Sequence, residues 1–150
     1  MKEEGDLAKQ VFISHARNDR EIADSLTSEL RRRGFRVWEK KEVSRGQKWA
    51  PFIESALMES DLMVALLREH SYSSSYVRRE LEHALFSEKY KNRLLPVFIA
   101  SSRDSKFIQI PWVLESINHL RFDVSTPSRI IVEKIATEVA ALLSKEQGSK

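Results

Sequence analysis

Apolar residues in this chain fall into short runs that alternate with stretches of helical spacing. Gln10-Val11-Phe12-Ile13-Ser14 is short, apolar and rich in β-forming residues, and Asn18-Asp19-Arg20-Glu21 follows it. That second tetrad offers an N-cap with a glutamate three residues on, the pattern that starts a helix. Ile22, Leu26 and Leu30 recur at four-residue steps, Gly34 ends the helix, and Phe35-Arg36-Val37-Trp38 reads as a second strand. Beyond a charged loop through Gly46, the positions Trp49, Ile53, Ala56 and Leu57 return to helical spacing, with Pro51 tolerable only near the first turn. Asp61-Leu62-Met63-Val64-Ala65-Leu66-Leu67 reads as a buried strand, and a helix is expected from about Ser74 to Tyr90. Leu94-Leu95-Pro96-Val97-Phe98-Ile99 supplies a fourth strand and the stretch from Asn118 to Phe122 a fifth. Thr126 and Pro127 then provide a cap and first turn for a last helix carrying Ile131, Ile135, Val139 and Leu142.

Alternating strands and helices imply an α/β fold, a parallel sheet with helices on both faces. Five strands of this kind most often take the flavodoxin-like order 2-1-3-4-5, whose direction reverses between strands 1 and 3. Phe12, Ile13, Val64, Leu66, Val97 and Phe98 should then be buried in the sheet. The crevice at the reversal would be walled by Ser14-His15-Ala16-Arg17 after the first strand and by residues 68 to 80 after the third.

The totals restrict this picture without changing it. A chain of 150 residues, 41% hydrophobic and 31% charged, suits one globular domain. The expected division is an extension over 1–9, the domain over 10–143 and a tail over 144–150. No apolar run approaches the roughly 20 residues a membrane helix needs, and residues 1 to 10 hold no signal-like stretch, so a membrane is not expected as a partner and the cytosol is the default. With no cysteine, thiolate chemistry is excluded, and four scattered histidines argue against zinc. The net charge of +3 is mild. Its one dense cluster, Arg31-Arg32-Arg33, reads as a solvated helix end that complements the dipole, and nucleic acid is not expected.

Candidate chemistry concentrates in Ser74-Ser75-Tyr76-Val77-Arg78-Arg79-Glu80-Leu81. An aromatic ring and a carboxylate four residues apart share one face of a helix start, just past the carboxyl end of a strand, where open α/β sheets bind ligands. Val77, Leu81, Ala84 and Leu85 form the buried stripe of that helix, with Tyr76 and Glu80 on its flank and Glu82 on the far side. A flanking carboxylate can be partly desolvated and still reach the crevice. Other chemistries lack their residues. Only four glycines exist and none forms a phosphate-cradling loop after the first strand. A phosphoacceptor aspartate at the end of the third strand is replaced by Leu67-Arg68. Ser14 and His15 point to opposite faces as strand neighbours and lack a nucleophile elbow, so they read as loop-entry residues.

Taken in order, Val11-Phe12-Ile13-Ser14-His15 with Asp19, Gly34-Phe35-Arg36-Val37-Trp38, Gly46, and Ser74-x-Tyr76-x-x-x-Glu80-Leu81 resemble the Toll/interleukin-receptor (TIR) domain family. The resemblance runs from about residue 10 to 143 and is nearer to the bacterial and plant-type branch. It implies the flavodoxin-like fold already expected from the pattern. Enzymatic members of the family cleave the nicotinamide-ribose bond of NAD+, and some cyclise the ADP-ribose product. The resemblance implies NAD+ as substrate, not cofactor, and homotypic TIR association as the mode of partnership. By position, Glu80 matches the catalytic glutamate and Tyr76 the aromatic residue usually found as tryptophan. Ser14, Ala16 and Arg17 match the loop after the first strand that touches nucleotide, and Trp38, Ser44, Gly46 and Ser74 complete the implied substrate-binding set. The stretch from Glu39 to Lys48 matches the mobile loop after the second strand that closes over the site or joins neighbouring domains.

A lone carboxylate suits that reaction. Ordinary glycosidases need a second carboxyl group to protonate a poor leaving group, whereas nicotinamide leaves its pyridinium as a neutral molecule. Three positions depart from the family pattern: Glu39-Lys40 where V-W-x-D is common, Arg68 where a serine commonly follows the third strand, and Tyr76 for tryptophan. The rival expectation is a non-catalytic TIR module that acts by association. A further one is another flavodoxin-like N-glycosyl enzyme, such as a deoxyribosyl transferase, which also uses a glutamate.

Overall fold

The computed structural model describes residues 8–38, 55–68, 75–90, 92–101 and 113–148. Strands β1 (Gln10–Ser14), β2 (Arg36–Trp38), β3 (Leu62–Leu67), β4 (Leu94–Ala100) and β5 (Leu120–Asp123) form one sheet in the order β2-β1-β3-β4-β5. All four pairings are parallel. The expected 2-1-3-4-5 order is therefore observed, with the reversal between β1 and β3.

Each central strand feeds two cores, because successive side chains leave the sheet on opposite faces. Val11, Ile13, Val64, Leu66, Val97 and Ile99 pack on one face against α1 (Arg20–Arg32) and the last helix. Phe12, Met63, Ala65, Leu67 and Phe98 pack on the other, against Val77, Leu81 and Ala84 of α2 (Ser75–Leu85). A helical stretch at 55–59, a 3-10 turn at Glu88–Tyr90 and the short α3 (Val113–Ser116) complete that second layer. The last helix is α4 (Ser128–Gly148), with Ile131, Ile135, Val139 and Leu143 buried and Leu142 partly so. All six strand residues expected in the core are buried.

α1 buries Ile22, Ala23, Leu26, Thr27 and Leu30, the face its spacing predicts. It stops where Gly34 takes a φ of 99°, and Phe35 N–H returns to the Leu30 carbonyl at 3.0 Å. The arginine cluster at its end is tied inward. Arg32 and Arg33 both meet Glu29, at 2.6 and 2.7 Å. Arg31 donates to the Val37 carbonyl and Arg33 to Thr137 of α4, at 3.0 and 3.3 Å. These contacts link α1 to β2 and α4.

Four local expectations are corrected. The cap position falls on Asp19, the last residue of a 3-10 turn (Arg17–Asp19) and one residue past the Asn18 that the spacing to Glu21 predicts, and Asp19 makes no side-chain cap bond to α1. α2 ends at Leu85 rather than running to Tyr90. Its bonds tighten to Ser87 N–H on the Ala84 carbonyl at 3.3 Å, and the chain turns so that the Tyr90 hydroxyl reaches the Leu57 carbonyl across the core. Asn92, at a φ of 65°, completes the turn into β4. β5 starts at Leu120, two residues later than expected from Asn118, because Ile117 and Asn118 form a bend in which His119 turns its ring edge-on to Phe98 at 5.4 Å. The last helix takes Pro127 just outside its first turn, its carbonyl accepting from Ile130 and Ile131 at 3.0 and 3.2 Å.

Candidate active site

The register of the sheet sets the crevice. Phe12 of β1 stands beside Trp38 of β2, and Ser14 beside Ala65 of β3. Trp38 stacks on Phe12 with ring centroids 5.4 Å apart and planes 10° from parallel, a partly buried indole beside the middle of β1. Ser14 and Phe12 share a face by alternation, the one covered by α2.

Glu80 lies on α2 between Val77, Leu81 and Ala84, all buried, and has no exposed surface. The helical wheel places it on a flank, partly desolvated; the structure buries it completely, because the end of β1 closes over that flank. Ser14 Oγ donates to Glu80 Oε1 at 2.6 Å, and Ser14 is itself fully buried. A short hydrogen bond to a carboxylate is of the stronger kind, and it holds the carboxylate toward the carboxyl end of β1. Glu82 is exposed, as its wheel position predicts.

Ser14 and His15 bond to different partners. Ser14 serves Glu80, while His15 Nδ1–H donates to the Ala16 carbonyl at 2.9 Å, which fixes the proton on that nitrogen. Ala16 packs at the margin of the core and its carbonyl also accepts from Asp19 N–H at 3.0 Å. Arg17 opens the 3-10 turn and is exposed.

A second link spans the same crevice. Arg68, the first residue after β3, places Nε 2.7 Å from Asp19 Oδ1, with Asp19 3% and Arg68 42% exposed. The two atoms meet at ion-pair distance without hydrogen-bond alignment. Sequence reasoning takes Asn18, with Glu21 three residues on, as the helix cap, places Asp19 only inside that pattern, and reads Arg68 as a departure from a pattern. Only the parallel pairing of β1 with β3 joins them.

Of the sequence-derived site residues, Ser14, Ala16 and Trp38 lie at the carboxyl ends of β1 and β2, with Arg17 following, and Glu80 meets Ser14 from the middle of α2. Tyr76 is the second residue of α2, its side chain outside those described. Ser44, Gly46 and Ser74 lie outside the described residues, as do the whole loop from Glu39 to Lys48 and the helix start at Trp49 and Ile53. An open cavity of about 1010 Å³ lies beside the amino end of β4, lined among others by Leu85, Phe86, Arg93, Val113 and Glu138. It includes none of the crevice residues. Among the described residues, no group of three acidic or histidine side chains could hold a metal, and no helix is long and apolar enough to cross a membrane.

The family model for the TIR domain matches residues 11–130. The chain belongs to the TIR domain family. No curated protein matches this TIR domain. Among solved structures, it is similar to a metazoan TIR-STING receptor from C. gigas in complex with 2′,3′-cGAMP, at 18% identity and a TM-score of 0.64, over 84% of this chain and 39% of the receptor. It is also similar to the TIR domains of the activated Roq1 resistosome that recognises the pathogen effector XopQ, at 17% identity and a TM-score of 0.65, over 88% of this chain and 99% of that one. At these identities the likeness is one of fold. This TIR domain spans about two fifths of the C. gigas receptor's length.

Proposed function

We propose that this TIR domain is an NAD+ nucleosidase that cleaves the nicotinamide-ribose bond, with Glu80 as the catalytic carboxylate. The observation that carries the reading is the buried Glu80 carboxylate, gripped by Ser14 at the point where the strand order reverses. In the reaction the C1′–N bond breaks and its electron pair passes to the ring nitrogen, so nicotinamide departs neutral. The ribose is left with the positive charge, and a carboxylate already oriented in a water-poor setting stabilises that charge as it develops. Water then adds to C1′ and loses a proton, giving ADP-ribose; attack by the adenine of the same molecule gives the cyclic product. The reading sets the chain in the cytosol, in immune or antiviral signalling, with other TIR domains as partners, as family membership implies.

Glu80 has no exposed surface. A ribose therefore reaches it only when the crevice opens, and association with a second TIR domain is the natural trigger. The same burial favours one alternative, a non-catalytic association module in which Glu80 is a structural carboxylate satisfied by Ser14. Incubating the purified protein with NAD+ at low and high protein concentration, and separating nicotinamide, ADP-ribose and cyclic products by mass, decides between them. Nicotinamide release lost in Glu80→Gln supports the enzyme; no release under any condition leaves the association module.

A further inference from the structure

We propose that Arg68 is the anion-recognising residue of this site, held by Asp19 to receive the diphosphate of a nicotinamide dinucleotide, an inference that rests on the nucleosidase reading above. Asp19 is 3% exposed, and a carboxylate so buried requires a countercharge. Arg68 supplies it with Nε at 2.7 Å, yet 42% of its side chain remains accessible. One edge of the guanidinium is thus anchored from within the fold while the side chain still reaches solvent.

Arginine suits such a post. It stays charged at every working pH, and its planar fork matches the oxygens of a phosphate. Anchoring against Asp19 orders a long side chain before any ligand arrives, which removes much of the entropic cost of binding.

Position supplies the rest of the argument. Asp19 closes the turn that follows β1, and Arg68 directly follows β3, so the pair spans the strand-order reversal. Ser14, on the same short segment as Asp19, holds Glu80. In a nicotinamide dinucleotide the diphosphate is bonded to C5′ of the ribose whose C1′ reacts. An anion receptor must therefore stand beside the carboxylate that meets the ribose, and the 14–19 segment braces both.

The rival role for Arg68 is neutralisation of Asp19 alone. Two variants separate them. Arg68→Lys keeps a charge beside Asp19 but loses the fork, and the double variant Asp19→Asn, Arg68→Gln replaces the ion pair with two amides. For each, kcat/KM is measured on NAD+ and on nicotinamide riboside, which has the same glycosidic bond and no phosphate. The ratio of the two values is expected to fall about tenfold, the scale of one charged hydrogen bond. Structural damage lowers both rates together, so an unchanged ratio in the double variant, or in Arg68→Lys if the amide pair does not fold, overturns the proposal. If the wild type cleaves neither substrate, the nucleosidase reading fails on its own and calorimetry with ADP-ribose decides the role of Arg68. Binding to the wild type and about tenfold weaker binding to the variants uphold it; equal affinity, or no binding to the wild type, overturns it.

Discussion

Ser14 and Glu80, 66 positions apart in the chain, are joined by a 2.6 Å hydrogen bond between two fully buried side chains. β1 is thereby tied to α2 by a polar contact inside an otherwise apolar layer formed by Phe12, Ala65, Leu67, Val77 and Leu81. A buried carboxylate is tolerated only with donors in place, and the Ser14 hydroxyl is one.

The first prediction concerns the energy of that contact. Ser14→Ala removes a donor from a buried carboxylate and is expected to destabilise the fold by roughly 1.5–3 kcal/mol. In a Glu80→Gln background the same change should cost clearly less, because a neutral amide needs the hydroxyl less. Urea unfolding of the wild type, both single variants and the double variant gives the coupling directly. Additive effects would mean that the two side chains are neighbours without interacting.

Tyr90 provides a pH test away from the crevice. Its hydroxyl donates to the Leu57 carbonyl, and burial, then the negative charge of Asp61, push its phenol above the ordinary value of 10.0. Because the folded value is the higher one, the stability this phenol contributes is intact below about pH 10 and is lost as pH climbs from there toward the folded value. Tyr90→Phe should be less stable than the wild type by about 1 kcal/mol at neutral pH. That gap should narrow above pH 10. Denaturant melts of the two proteins from pH 7 to 11 check this, and a gap constant with pH would refute the assignment.

Much of this architecture is legible in the residues themselves. Continuous apolar runs such as Leu62 to Leu67 belong to strands buried on both faces, and four-residue spacing picks out the inner faces of α1 and α4. The parts that are not legible depend on partners far along the chain. A helical wheel gives the direction of Glu80 but not how closely β1 approaches, so flank becomes full burial. Asn18 to Glu21 has the local form of a helix cap, yet Asn18 falls inside a 3-10 turn and Asp19 turns to an ion pair with Arg68 once β1 and β3 lie side by side. Periodicity would carry α2 onward past Leu85, but a turn lets Tyr90 reach Leu57 across the core. Phe86, 87% exposed, marks the point where the helical face stops being useful.

Assembly should control turnover. With Glu80 fully buried in a single chain, catalysis requires an opening that a neighbouring domain can stabilise, so activity per subunit is expected to rise with protein concentration or on a bead scaffold. The check is the rate of nicotinamide release per subunit across a wide concentration range, alongside mass by light scattering. A flat rate would show that the isolated chain opens unaided.

The last prediction sets stability against activity at Glu80. Glu80→Gln keeps the shape of the side chain and an oxygen that can accept from Ser14, while removing the cost of burying a charge. Its melting temperature should therefore equal or exceed that of the wild type. Its kcat on NAD+ should fall roughly 100-fold or more, because the lost charge acts mainly on the cationic ribose of the transition state. Glu82→Gln, on the exposed side of α2, should alter neither quantity and controls for a general effect of charge. A carboxylate that serves only the fold would leave any NAD+ cleavage at the wild-type rate in both variants. A gain in stability joined to a loss of turnover, confined to Glu80, is the signature of a charge kept in the core for the sake of its chemistry.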